Sequence, residues 1–192
     1  MGLGNPGPCY ARSRHNAGFM AVSRLAEAWQ VPWSMERRFQ SRVARANRGG
    51  KAVLLCQPQT FMNLSGEAVA ALRGFYHVSL DRLLVIVDDA DLPLGALRMR
   101  AEGRSGGHHG LESIEQHLGT GSYARQRIGI GRTADGRREI TGHVLSDFTA
   151  DEIAVLEKVL TRACDQIECW LAHGVQRAMN QYNGVIASEE RQ

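Results

Sequence analysis

With 192 residues, of which 43% are hydrophobic and 22% charged, the chain has the length and composition of one water-soluble globular domain. No apolar run approaches the roughly 18 residues of a membrane span, and the start MGLGNPG lacks the basic and apolar segments of a secretory signal, so a cytoplasmic protein that does not bind membranes is expected. The net charge of +3 is small, yet 21 of the 23 basic residues are Arg, and they gather at Arg98/Arg100/Arg104 and Arg125/Arg127/Arg132, where planar forks suit either phosphate or plain solvent.

In chain order, GLGNPG (2–7) has the spacing of a dinucleotide-binding glycine fingerprint. That fingerprint needs a strand before it and a helix directly after it, whereas here only Met1 precedes and Pro6-Gly7-Pro8 continue a loop, so a tight turn presenting Asn5 is expected instead. Phe19, Val22, Leu25, Ala26 and Trp29 recur at helical spacing and predict an amphipathic helix over 17–30. Residues 41–47 and 52–56 predict a hairpin that turns at Arg48-Gly49-Gly50-Lys51. After the loop QPQTFMN, Ser65 is expected to cap a helix whose inner face is Val69, Leu72, Phe75 and Tyr76. The all-apolar run 83–87 predicts a buried parallel strand, and the acidic segment Asp88-Asp89-Ala90-Asp91 leaves from its C-terminal end, where open α/β sheets bind ligands. Residues 98–101 and 127–131 predict further strands, with GRSGGHHG leading into a helix through Leu111, Ile114 and Leu118 between them. A long helix from 151 to about 173 turns Ile153, Leu156, Leu160, Ala163, Ile167 and Trp170 inward. The fold class that follows is α/β: a single domain over 1–192 with a twisted, mixed and mainly parallel sheet flanked by helices.

Chemistry concentrates in two segments. His15 in SRHNAGF can accept a proton from water near neutral pH, and Asp88, at the end of the apolar strand, supplies the carboxylate that orients such a base and stabilises its imidazolium. Either residue alone has a plainer role, as a surface histidine or a turn aspartate. Asp88, Asp89 and Asp91 offer too few oxygens for a hard-metal site and no calcium-loop spacing follows them, so neither metal nor cofactor is expected. No G-x-S-x-G elbow occurs, and the four cysteines form no CxxC pair, which leaves reduced packing thiols.

Together GLGNPG, SRHNAGF, QPQTFMNLSGEAV, VDDADLPLG, SGGHHGLESI, RQRIGIGR and AMNQYN, in this order, resemble bacterial peptidyl-tRNA hydrolase across nearly the whole chain. The resemblance implies hydrolysis of the ester between a peptide and the 3′-terminal ribose of tRNA, by a monomer without a cofactor. It implies His15 as general base and Asp88 as its orienting carboxylate. It makes Asn5 the residue that separates N-blocked from free aminoacyl substrates and Asn63 the amide that positions substrate and water. Tyr10 and Phe61 then line the groove for the tRNA 3′ end, His108 belongs to a gate loop, and Arg98, Arg100 and Arg127 hold phosphates of the acceptor arm.

Three departures from the family pattern stand out: His109 where many relatives have asparagine, Glu102 beside the basic patch, and Met1 where relatives begin with a short apolar strand. The last predicts a natural start upstream and an inner strand cut short. The competing readings are a non-catalytic RNA-binding module of the same fold and, on GLGNPG alone, a nucleotide-cofactor oxidoreductase.

Overall fold

The computed structural model describes residues 1–132 and 140–186. Helix α1 (Ala17–Ala28) is followed by strands β1 (Ser34–Glu36), β2 (Ser41–Arg48) and β3 (Lys51–Pro58), then by α2 (Ser65–Phe75), β4 (Leu84–Asp89) and β5 (Ala96–Arg100). Next come α3 (His109–Leu118), β6 (Ala124–Gly129), α4 (Ile140–Leu145), α5 (Ala150–His173), α6 (Val175–Tyr182) and the short β7 (Gly184–Val185). The strands order as β1-β2-β3 and β4-β6-β5-β7. Residues 1–3 stitch these ladders together: Gly2 N donates to Cys56 O at 3.0 Å on β3, while Leu3 N donates to Ile86 O at 2.9 Å on β4.

The apolar run in β4 is explained by its two covered faces. Leu84 and Ile86 join one core with Val22 and Leu25 of α1 and Leu156, Val159 and Leu160 of α5. Val85 and Val87 point the other way, into a second core with Leu3, Val69, Leu111 and Ile114. Each such side chain contributes roughly 1.5–3 kcal/mol on burial, so the strand is fixed from both sides.

The α/β class with a mixed sheet is as expected, but the pairing is mostly antiparallel rather than mainly parallel. Among the described residues only β4–β6 and the Gly2–Ile86 bridge are parallel, whereas β1–β2, β2–β3, β5–β6 and β5–β7 run antiparallel. The reason is a connection length. Residues 90–95 between β4 and β5 are too few for a parallel crossover, which takes a dozen or more residues, so β5 reverses direction. The chain then crosses through α3, and β6 enters between them, parallel to β4.

Two local expectations also need correcting. Ser65 is the first helical residue of α2, not its cap: Leu64 holds the cap position after a 3₁₀ turn at Met62–Leu64, and the Ser65 hydroxyl is buried without a partner. Phe75 faces outward, 50% exposed, with the Arg38 guanidinium 3.8 Å from its ring centroid, while Val69 and Leu72 carry the buried face. The cation–π contact and the tilted ring contact with Phe39 give the ring partners at the surface. Cys56, Cys164 and Cys169 are buried thiols, and burial pushes the first two up to about 11 and about 12; Cys9 is exposed. No helix among the described residues is long and apolar enough to cross a membrane.

Candidate active site

The site is assembled where α1 touches backbone. A side chain at Gly2 would meet Gly18 O at 2.1 Å, and one at Gly18 would meet Ile86 O at 2.3 Å, so the start of α1 lies directly on residues 1–3 and β4. That contact brings the turn Arg14–Asn16, which immediately precedes α1, to the C-terminal end of β4. His15 and Asp88 meet there, with Nδ1 of the imidazole 2.8 Å from Oδ1 of the carboxylate, both residues buried.

A second imidazole shares the same oxygen. His108 Nε2 lies 3.1 Å from Asp88 Oδ1, and the two rings stand 5.1 Å apart. His108 is also the N-cap of α3, its Nδ1 accepting from Gly110 N at 3.1 Å and Leu111 N at 3.3 Å. Burial alone would push the Asp88 carboxyl up, but the hydrogen bonds from His108 and His15 outweigh it and hold it well below its ordinary 3.8.

Around this core, asparagines tie the loops together. Asn16 grips the backbone of Asn5 twice, accepting from Asn5 N at 2.8 Å and donating to Asn5 O at 3.0 Å. Asn5 Oδ1 in turn accepts from Met62 N at 2.8 Å, which docks the turn bearing Phe61 and Asn63. This leaves the Asn5 amide NH₂ without a hydrogen-bond partner among the described residues. Phe61 is 56% exposed, Asn63 is exposed on the same turn, and Tyr10 is half-buried on the 3₁₀ turn Pro8–Tyr10. The His15 turn is braced from α5. Arg14 donates to Glu152 Oε2 at 2.5 Å, and Glu152 closes a capping box with Thr149.

The three acidic residues at the end of β4 and just beyond it diverge, each to its own partners. Asp88 serves the histidines, Asp89 accepts from Arg127 at 3.1 Å and Asp91 pairs with Arg132. His15, Asp88 and His108 do place three donor atoms within 4.8 Å of one another, a spacing compatible with a metal ion. The hydrogen bonds argue against that use. A metal on His108 Nε2 would require the ring proton on Nδ1, pointing at the two backbone N–H groups that Nδ1 now accepts.

The arginines divide by environment. Arg98 and Arg100 are exposed on β5, opposite Arg127 and Arg125 of β6. Arg125 is 1% exposed and donates to the carbonyls of Gly103, Gly121 and Tyr123, which the sequence does not reveal. Arg127 is mostly covered, donating to Arg104 O and Ser105 O at 2.9 Å besides its Asp89 pair, so Arg98 and Arg100 are the freer cations. His109 is exposed, 3.1 Å from Glu112, and Glu102 is exposed in the loop before His108.

The structure thus joins His15, Asp88 and His108 directly and links Asn5 to them through Asn16. The shared carboxylate, the Asn16 clamp and the Arg14–Glu152 brace were not foreseen. Thr149-x-x-Glu152 was legible as a capping box, and Asn16 stands next to His15, but their long-range partners leave no mark in the sequence.

The family model described as peptidyl-tRNA hydrolase matches residues 1–191. A curated peptidyl-tRNA hydrolase of Synechococcus sp. (strain JA-3-3Ab) is 48% identical over 184 residues, covering 95% of this chain and 81% of that one. Another, from Chloroflexus aggregans (strain MD-66 / DSM 9485), is also 48% identical over 184 residues, covering 95% and 97%. Among solved structures, peptidyl-tRNA hydrolase from Acinetobacter baumannii superposes with a TM-score of 0.91 at 34% identity, covering 96% of this chain and 93% of that one.

Proposed function

The chain belongs to the peptidyl-tRNA hydrolase family and hydrolyses the ester of peptidyl-tRNA, and from that premise we propose that His15 is its general base and Asp88 the carboxylate that orients it. One observation carries the assignment. Two imidazoles share Asp88, but both nitrogens of His108 are occupied, whereas Nε2 of His15 has no hydrogen-bond partner among the described residues. Only His15 has a ring nitrogen left to take a proton.

With Nδ1–H donated to Asp88, His15 Nε2 removes a proton from a water held by Asn63. The resulting hydroxide attacks the ester carbonyl, and Asp88 stabilises the imidazolium. The C–O bond to the ribose breaks, the ribose oxygen takes the proton from His15, and the imidazole is again neutral. The unpartnered NH₂ of Asn5 suits the carbonyl of an N-blocked peptide. Exposed Phe61 and half-buried Tyr10 offer ring faces to the unpaired 3′ end, since base–aromatic stacking contributes about 1–3 kcal/mol per base. Arg98 and Arg100, with Arg127 beside them, hold acceptor-arm phosphates. The whole chain, 1–192, acts as one monomeric domain in the cytoplasm.

The test is release of N-acetylated amino acid from charged tRNA by the purified protein with a chelator present. His15→Ala is expected to lower kcat by about 10²- to 10⁴-fold while tRNA binding persists. A folded His15→Ala protein that turns over like wild type would refute the assignment.

A further inference from the structure

We propose that His108 is a positioning residue for this hydrolysis: a neutral imidazole, locked in its Nε2–H form by the helix it caps, that holds the Asp88 carboxylate in place for His15. This deepens the reading of His15 and Asp88 as base and orienting carboxylate, and rests on it.

The lock follows from donor and acceptor counting. Gly110 N and Leu111 N both donate to His108 Nδ1, so that nitrogen presents a lone pair and the ring proton resides on Nε2. The Nε2–H group then donates to Asp88 Oδ1 at 3.1 Å. Protonating Nδ1 would aim a third N–H at the two backbone N–H groups, so these hydrogen bonds fix the Nε2–H tautomer. His108 therefore does not compete with His15 for the proton, although both rings touch the same oxygen.

The ring has little room to escape. A side chain at Gly110 would meet Met62 Sδ at 2.6 Å, Leu3 Cδ1 at 2.7 Å and His108 Cε1 at 3.0 Å, so the first turn of α3 is seated on the 3₁₀ turn and the second core. The other charged groups of the neighbouring elements are already engaged. Asp89 pairs with Arg127, Arg14 with Glu152 and His109 with Glu112, while His143 Nε2 lies 2.8 Å from Gly131 O. Asp88, 2% exposed, thus relies on the two imidazoles. With both N–H groups on Oδ1 it is fixed in rotation and stays ionised despite burial; with one, a buried carboxylate is left under-bonded and free to turn away from His15.

The experiment separates capping from positioning. Asparagine is among the best N-caps, and its oxygen can accept from the first turn of α3, but its amide is too short to reach Asp88. His108→Asn is expected to melt close to wild type, to lose about tenfold or more in kcat, and to keep KM within about twofold. His108→Ala should show the same kcat loss together with a lower melting temperature. In the wild type, ¹⁵N imidazole spectra should show the His108 ring proton on Nε2 and not on Nδ1. Wild-type kcat in His108→Asn, or a proton on His108 Nδ1, would overturn the proposal. These results are distinct from failure of the underlying reading, which would appear as a folded His15→Ala protein that turns over like wild type.

Discussion

Replacing Gly18 with alanine should damage catalysis from a position that touches no substrate. An added Cβ would lie 2.3 Å from Ile86 O and 2.6 Å from both Leu3 N and Leu3 O, all backbone atoms that cannot rotate away. Carbon–oxygen contacts settle at about 3.3 Å or more, so α1 must retreat by roughly 1 Å. The retreat stretches the Phe19 N to Leu3 O bond, now 3.1 Å, and carries the His15 turn with it. The His15–Asp88 bond of 2.8 Å would then pass beyond hydrogen-bonding range. A shift of this size costs about 10²-fold in rate, and overpacking costs about 1–3 kcal/mol, or roughly 3–10 °C in Tm for a chain of this length. The control is Gly74→Ala, late in α2, where an added Cβ meets nothing within 4 Å. It should leave kcat unchanged and stabilise by about 0.5–1 kcal/mol, because alanine loses less backbone freedom in a helix. Thermal melts and single-turnover hydrolysis of N-acetyl-aminoacyl-tRNA measure both variants. A Gly18→Ala protein with wild-type Tm and kcat would refute the argument that this backbone contact sets the position of His15.

Asp88 should also govern acid stability. Its folded-state pKa lies below the ordinary 3.8, so the stability it contributes is full above that value and drains as pH falls through the folded-state pKa. Asp88→Asn is therefore expected to lower stability by about 1–3 kcal/mol at pH 7 and to flatten acid unfolding below the ordinary carboxyl range, with a large loss of kcat; an unchanged acid limb in urea titrations would contradict this. Asn5→Asp keeps an acceptor for Met62 N but loses the amide NH₂, so the preference for N-acetylated over free aminoacyl-tRNA should shrink, as read from the ratio of kcat/KM values on the two substrates. Arg98→Ala and Arg100→Ala should each raise KM and reduce the slope of log affinity against log salt by about 0.7–0.9, with kcat little changed; salt-independent binding by the wild type would mean that these arginines are only a solvated face.

The sequence alone determined the features that repeat at short range. Helical spacing placed α1 and α5 to within a residue or two, the Arg48–Lys51 turn placed the hairpin, and the apolar run before Asp88 marked a strand buried on both faces. Ordered motifs identified the family and singled out His15 and Asp88, 73 residues apart, whose side chains meet. What the tertiary structure decided depends on which groups meet across the fold, information that local periodicity does not carry. Arg125 and Arg127 look alike in RQRIGIGR, yet one is caged by loop carbonyls and the other is bound mainly to Asp89 and the His108 loop. Ser65 has the composition of a helix cap, but the preceding 3₁₀ turn had already begun the helix. His108 reads as one histidine in a glycine loop, and its role appears only when the start of α3 and the end of β4 are brought together around one carboxylate oxygen. Local pattern specifies which side chains face inward because burial follows the period of the element, whereas partners are chosen by packing of elements distant in sequence. The hydrogen bonds that define this site are made at that second level.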